Sequence, residues 1–388
     1  MTIAEIDRVL YIGAGTMGCA NSLVAAVSGY QVVLHDARAE SLDGVPDQHG
    51  GVAAFLVASG YCTEVDVAAA LPRVTLEADL SKAVLGVDLV SESIPEDLDL
   101  KRRVFADLDD LAPPSTILTT NTSALQVSEI EDAVRRGDRF AALHSHLGSL
   151  LVDIVGGPRT SSATIDTLRR YVLSLGAVPL VLDKEHPGYV FNALNGPLLA
   201  TALHLLVDER ADRDTIDRTW MVERGAPMGP FGMIDLFGID VVAGAWRRPS
   251  DDPAREALRT KVSPLLEQYV TDADLGMKTG SGFYEYPDPA YQAPAFLTAS
   301  DVDGPTADAL MTTLVTGALS LAAKGVASPD DIDMAWMVAT NLDIGPFGLL
   351  DQLGSERFLA IIDQQLADGL LTAEVAEAAR THLADRPA

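Results

Sequence analysis

Cysteine is nearly absent from this chain of 388 residues, which carries only Cys19 and Cys62. Two thiols do not build a disulfide scaffold, and neither stands in a metal-ligand spacing. Cys19 falls just inside the first expected helix and reads as packing. Basic residues are scarce too: 28 Lys and Arg face 56 Asp and Glu, for a formal net charge of −28. The acids are spread along the chain rather than gathered in a tail, so they describe a solvated surface. Such a surface repels phosphate backbones and acidic lipids, which speaks against nucleic acid and membranes as partners. Long apolar runs are missing as well. The most apolar stretch, residues 194–207, is interrupted by Asn195, Gly196, Pro197 and His204 and is too short to span a bilayer. The first residues show no basic segment followed by an apolar run, so no signal peptide is expected, and a reducing cytoplasm is the expected compartment.

Against these absences stands an ordinary globular composition, 48% hydrophobic and 22% charged, at a length that suggests two or three domains. The first 180 or so residues alternate apolar strands with helical patterns. Strands are expected at Arg8–Ile12, Gln31–His35, 89–93, 116–119, 140–144 and Val178–Leu182. This βαβ alternation predicts a mostly parallel, doubly wound sheet. After Pro187 the strand signal fades and helical periodicity takes over. Residues 1–184 thus read as an α/β domain, with a boundary near 183–188 where charge, Pro and Gly cluster.

The helical part repeats itself. Ile216-Asp217-Arg218-Thr219-Trp220-Met221-Val222 returns as Ile332-Asp333-Met334-Ala335-Trp336-Met337-Val338, and Gly229-Pro230-Phe231-Gly232 as Gly345-Pro346-Phe347-Gly348. Asp235 and Gly238 return as Asp351 and Gly354, every match at an offset of 116. A gap-free series of this kind indicates duplication: an all-α region of two repeated units, 185–290 and 291–388. Each copy opens with a capping signal, Asp212 in one and Ser328-Pro329-Asp330-Asp331 in the other. Residues 287–305, with four prolines, read as a linker.

The loop Gly13-Ala14-Gly15-Thr16-Met17-Gly18 follows the first strand and opens a helix. In that setting the first glycine permits the tight turn, the second lets a pyrophosphate approach the backbone, and the third lets helix and strand pack closely. The helix N-terminus offers N–H groups to the phosphates, so Gly13, Gly15, Thr16, Met17 and Gly18 are the expected contacts. Asp36 ends the second strand, 18 residues past Gly18. A carboxylate there accepts from the ribose hydroxyls and repels a 2′-phosphate, which predicts a Rossmann-type domain using NAD rather than NADP. Arg38, two residues on, is the one nearby group suited to a 2′-phosphate.

Further motifs follow in order: Glu92-Ser93-Ile94-Pro95-Glu96-Asp97-Leu98-Asp99-Leu100-Lys101, Asn121-Thr122-Ser123-Ala124-Leu125, Pro187-Gly188-Tyr189-Val190-Phe191-Asn192, and Lys278-Thr279-Gly280-Ser281-Gly282-Phe283-Tyr284-Glu285-Tyr286. Together with the glycine loop they make the chain resemble the L-3-hydroxyacyl-CoA dehydrogenase family over nearly its whole length. The resemblance implies an NAD-dependent oxidoreductase. It places Glu96 and Lys101 beside the nicotinamide half of NAD, makes Lys278 another NAD contact, and has Ser123 and Asn192 hold the substrate oxygen. It also implies a duplicated C-terminal domain whose copies pack as an intramolecular pseudo-dimer, since relatives with one copy dimerise through it.

Oxidising an alcohol with NAD requires a base for the hydroxyl proton, and a histidine oriented by a carboxylate suits that task. His144 falls in the position of the family's histidine. Leu147-Gly148 replaces the usual Asn-Pro, the following loop is about three residues shorter, and Asp153 replaces a glutamate. If the strand continues, His146 shares the side-chain direction of His144 and is an alternative base. Most relatives act on acyl-CoA, whose phosphates meet basic residues after the second strand. Here residues 39–79 hold Arg73 as their only Lys or Arg, against Glu40, Asp43, Asp47, Glu64, Asp66, Glu77 and Asp79. A 3-hydroxyacyl-CoA is the first expectation. A small CoA-free or carnitine-like hydroxy acid comes second, and an NAD-binding protein without turnover third.

Overall fold

The computed structural model describes residues 2–250 and 253–384. It divides into two compact units, one running to Tyr189 and including Gly325–Ala327, the other comprising Val190–Lys324 and the rest of the chain from Ser328. The stretch 325–327 joins the first unit through the N–H of Asp183, which donates to the carbonyl of Val326 at 2.9 Å.

The first unit is built on one sheet of eight strands: β1 (Arg8–Ile12), β2 (Gln31–His35), β3 (Val74–Glu77), β4 (Leu89–Glu92), β5 (Ile117–Thr120), β6 (Phe140–Ser145), β7 (Leu151–Gly156) and β8 (Val178–Leu182). Their order is β3-β2-β1-β4-β5-β6-β7-β8. Every neighbouring pair is parallel except β6 and β7. The order reverses between β1 and β4, where a doubly wound sheet opens its ligand crevice at the carboxyl ends of the strands. The interior strands are buried along nearly their whole length, as covering on both faces demands, with aliphatic residues giving way to polar ones toward the carboxyl ends of β4, β5 and β6. Two strands lie outside the set expected from sequence. β3 is a half-exposed edge strand with no apolar run to announce it. β7 is buried almost throughout, so it shows no alternation to mark it as a strand.

In the second unit the duplication is visible helix by helix. Arg213–Arg224 and Pro230–Phe237 return as Pro329–Thr340 and Pro346–Leu353, with ends coinciding at the offset of 116. The repeated Asp and Gly-Pro-Phe-Gly have a physical reason. Asp217 reaches across to cap the helix Pro230–Phe237, accepting from the N–H groups of Phe231 (2.9 Å) and Gly232 (3.0 Å). Asp333 does the same for Phe347 (2.7 Å) and Gly348 (2.9 Å). The glycine ahead of each proline is needed for space, because a Cβ on Gly229 or Gly345 would lie 2.3 Å from that carboxyl carbon. Removing either carboxylate strands two N–H groups at a helix start. Asp217 is fully buried and also accepts from the Tyr284 hydroxyl, whereas Asp333 is half-buried. Asp217→Ala is therefore expected to cost on the order of 2–4 kcal/mol and Asp333→Ala less, read from urea midpoints. Equal midpoints for both variants and the parent would overturn this account of the repeat.

The two copies meet within this unit. Helix Phe191–Val207 packs along helix Gly304–Ala323. The hydroxyls of Thr201 and Thr313 lie 2.8 Å apart, and Gly317 leaves room for Leu194. Trp220 and Trp336, equivalent under the repeat, stand edge to face at 6.4 Å. Helix Gly304–Ala323, which lies outside the stretch 194–207 singled out from sequence, is long and apolar enough to cross a membrane by length and composition. Most of it is buried among the other helices, as in a core helix. Residues 287–305 are not a loose linker: Tyr291 and Phe296 are buried, with Tyr291 edge-on to Tyr284 at 5.0 Å. The prolines sit beside short helical turns, Ala290–Gln292 and Pro294–Leu297, that tie the segment down.

Candidate active site

The glycine loop fits a dinucleotide. Gly13 adopts φ +98°, and a Cβ there would lie 2.6 Å from the Ser93 carbonyl oxygen; one on Gly18 would overlap the Gly13 carbonyl. Gly15, by contrast, faces open space, with nothing within 4 Å of where its Cβ would be. The helix Thr16–Val27 that it starts has no side-chain cap and no acid in its first turn. Its first N–H groups are thus left for a phosphate. Asp36 accepts from the N–H of Ala14 (3.0 Å) and of Arg38 (2.9 Å), so it braces the loop from the end of β2. Burial opposes its charge, but these bonds and the Arg38 guanidinium hold its carboxyl below the ordinary range. Arg38 lies 3.6 Å from Asp36, so the cation that the sequence offers to a 2′-phosphate is paired with the carboxylate.

The chemistry-bearing group sits on β6 and β7. His144 and Asp153 are direct cross-strand partners in the antiparallel register, a placement that brings their side chains together on one face. His144 donates through Nδ1 to Oδ2 of Asp153 at 2.9 Å, leaving Nε2 for proton transfer. The direct register explains how aspartate, shorter than glutamate, reaches the ring. His146, just past the end of β6, bonds the same Oδ2 through Nε2 at 2.8 Å. Its ring packs edge-on against His144 with centroids 4.4 Å apart. Burial depresses the basicity of His144, and His146 adds to this, against the opposing pull of Asp153. Burial works against the Asp153 carboxylate as well. The two imidazole hydrogen bonds outweigh it and hold the group below the usual carboxylate range. The resting arrangement is a neutral His144 beside an ionised, buried aspartate.

The other expected residues of the first unit form an adjoining network. Glu96 accepts from the Thr122 hydroxyl (2.7 Å) and from the N–H of Ser123 (2.9 Å), and its charge acts on His144. Lys101 is wholly buried and bonds Glu92 at 2.7 Å, the Ile94 carbonyl at 3.3 Å and Glu96 at 3.4 Å. Its ammonium thus has three acceptors in the first unit, Glu96 among them. Ser123 is half-buried, and its carbonyl accepts from the N–H of Gly188. Asn192 and Lys278 belong to the second unit. Asn192 is half-buried in the first turn of helix Phe191–Val207, and Lys278 pairs with Asp240.

Three residues lay inside the quoted motifs without a role assigned to their side chains. Glu92, fully buried at the end of β4, is the counter-charge for Lys101 and accepts from the Thr120 hydroxyl and the Ile94 N–H. Asn121 accepts from the N–H of Ser145 at 2.9 Å and so fixes the end of β6 beside the histidine. Tyr189 is buried with its ring 5.3 Å from that of His144, and its hydroxyl has no hydrogen-bond partner among the described residues. An acid at a strand end and an Asn directly after a strand are the signals that mark the first two.

Comparison with known proteins follows the same division. Residues 8–186 match the family described as 3-hydroxyacyl-CoA dehydrogenase, NAD binding domain. Residues 188–286 and 306–384 match the one described as 3-hydroxyacyl-CoA dehydrogenase, C-terminal domain, so the duplicated unit is that domain. The human mitochondrial hydroxyacyl-coenzyme A dehydrogenase is 34% identical over 293 residues, covering 72% of this chain and 91% of its own. The 3-hydroxyadipyl-CoA dehydrogenase of Escherichia coli (strain K12) is 32% identical over 288 residues, covering 73% of this chain and 59% of its own. Among solved structures, a diketoreductase is 33% identical with a TM-score of 0.68, over 73% of this chain and 100% of its own. The 3-hydroxybutyryl-CoA dehydrogenase of Escherichia coli K12 shares the fold over 98% of this chain and 100% of its own, with a TM-score of 0.79 at 23% identity. The chain belongs to the 3-hydroxyacyl-CoA dehydrogenase family and is an NAD-dependent oxidoreductase.

Proposed function

We propose that the protein interconverts the 3-hydroxyl and 3-oxo forms of a 3-hydroxyacyl-CoA, with His144 as general base. The observation that carries this reading is the buried His144–Asp153 pair at 2.9 Å, with Nε2 of the ring uncommitted. Bound NAD supplies the acceptor for the hydride that leaves the carbinol carbon. Gly13, Gly15, Thr16, Met17, Gly18 and Asp36 hold it. Nε2 of His144 takes the hydroxyl proton, and Asp153 stabilises the imidazolium without itself being protonated. In the reductive direction the same imidazolium returns the proton. The family resemblance gives the substrate oxygen to Ser123 in the first unit and to Asn192 in the second, and Glu96, held by Lys101, acts on His144 through its charge.

A second reading, a small hydroxy or dicarbonyl substrate without CoA, has a specific observation in its favour. In residues 39–79 the only Lys or Arg, Arg73, donates to the carbonyl of Ala69, and the acids around it repel a 3′-phosphate. One of the similar structures is a diketoreductase. The two readings separate in one assay. NADH formation is followed by absorbance with short and medium 3-hydroxyacyl-CoA esters, the matching free acids and carnitine, each with NAD and with NADP. The proposal expects turnover with the CoA esters and NAD. Preference for a free acid would move the substrate to the second reading, and preference for NADP would mean that Arg38 outweighs Asp36.

A further inference from the structure

Both histidines and the aspartate converge through one carboxylate oxygen, an arrangement that proton abstraction alone does not require. We propose that His144, His146 and Asp153 form a binding site for a divalent transition ion of the zinc class, and that its occupancy switches the base off. Nδ1 of His144, Nε2 of His146 and a carboxylate oxygen of Asp153 all lie within 4.8 Å of one another. Zinc bonds imidazole nitrogen and carboxylate oxygen at about 2.0–2.2 Å, so its donors stand a little over 3 Å apart. The observed spacings to Oδ2, 2.9 and 2.8 Å, lie within a few tenths of an ångström of that value, and drawing the two ring nitrogens, which lie within 4.8 Å, onto one ion completes the set. The three side chains are 8%, 7% and 0% exposed, so their rotamers are already confined and little ordering remains to be done on binding. Asp153 also keeps its second oxygen, Oδ1, buried without a hydrogen-bond partner among the described residues. A buried acceptor of that kind is costly unless something meets it, and a cation does. Two neutral imidazoles and one carboxylate form a donor set that suits zinc and its neighbours rather than calcium or magnesium.

The switch follows from the two nitrogens of one ring. In the metal-free state the proton of neutral His144 is on Nδ1, shared with Asp153, and the lone pair of Nε2 is the base. An ion on Nδ1 of His144 and Nε2 of His146 displaces each ring's proton to its other nitrogen, so the proton of His144 moves to Nε2 and that of His146 to Nδ1. Both rings stay neutral and the carboxylate stays ionised, but the atom of His144 that must accept the hydroxyl proton now carries one. Binding does not depend on the catalytic proposal. The loss of turnover does, and the two are measured separately.

The test uses the untagged protein, stripped with chelator and titrated with Zn²⁺ by calorimetry and with Co²⁺ by visible absorption. One tight equivalent is expected, with the intense d–d bands of low-coordinate cobalt, lost in both His146→Asn and Asp153→Asn. Thermal melting and NADH fluorescence verify that each variant is folded. With an active substrate, one equivalent of Zn²⁺ is expected to cut turnover by about 100-fold or more, the lower end of a general-base contribution, and excess chelator to restore it. Absence of a stoichiometric site, or a site retained in both variants, would overturn the proposal. Tight binding that leaves turnover unchanged or raises it would overturn the switch. If no alcohol is turned over at all, the proposed function has failed and the cobalt spectrum alone decides whether the ion site exists.

Discussion

Replacing His144 with alanine is expected to lower kcat by about 10²–10⁴-fold while NADH still binds, as read by its fluorescence. The separation is expected because the glycine loop and Asp36 lie on β1, β2 and the helix after β1, whereas the histidine lies on β6. Asp153→Asn keeps the size of the side chain but removes the charge that faces the imidazolium. It is expected to slow turnover by on the order of 10²-fold, again with NADH affinity preserved. The shared oxygen makes His146 the decisive control. If His146→Ala is dead and His144→Ala active, the proton is taken by the second ring and the assignment of the base is wrong.

Deleting residues 305–388 is expected to have an equally large effect on the physical state of the protein. Helix Gly304–Ala323 buries Leu310, Leu314, Ala318 and Leu321 among the helices of its unit, and its neighbour Phe191–Val207 buries Leu194, Leu198, Ala202 and Leu205. Truncation uncovers one long side of Phe191–Val207, an apolar face larger than soluble monomers ordinarily expose. The shortened chain is therefore expected to aggregate or to dimerise through its remaining copy, and light scattering distinguishes both from a monomer. A truncated protein that stays monomeric and active would show that the second copy does not serve as cover.

Much of this was legible because particular residues leave little choice. Arg8–Ile12, Gln31–His35 and Val178–Leu182 are apolar runs with polar residues or glycine near their ends, and they form strands over those residues. The offset of 116 is written in Asp217, Trp220 and the Gly-Pro-Phe-Gly that follows. Other features depend on distance in space rather than along the chain. Asp153 stands out as an acid in an apolar stretch, but only the antiparallel register of β6 and β7 shows that it meets His144 head on. The shared use of Oδ2 by His146 depends on the turn after β6, where Gly148 takes φ +76°. Lys101 in sequence is a lysine near a helix start; its burial against Glu92, at the end of β4, is visible only in the structure. The prolines of 287–305 suggest loose chain, and only the burial of Tyr291 and Phe296 shows the segment to be anchored.

The contact between helices Phe191–Val207 and Gly304–Ala323 has a consequence for how the protein can change. In a homodimer built through such a helix, every substitution alters both sides at once, and each contact occurs twice. Here the two sides are written separately. The hydroxyl pair Thr201–Thr313 illustrates this: the residues equivalent to them under the repeat are Gly317 and Pro197, so the bond has no mirror image. A residue that would clash with its own copy can be kept if the opposite position is made small, as Gly317 is beneath Leu194. Fusion of the two copies thus frees the interface from self-complementarity, and lets the half that carries Asn192 vary independently of the half that carries Asp308 in its place.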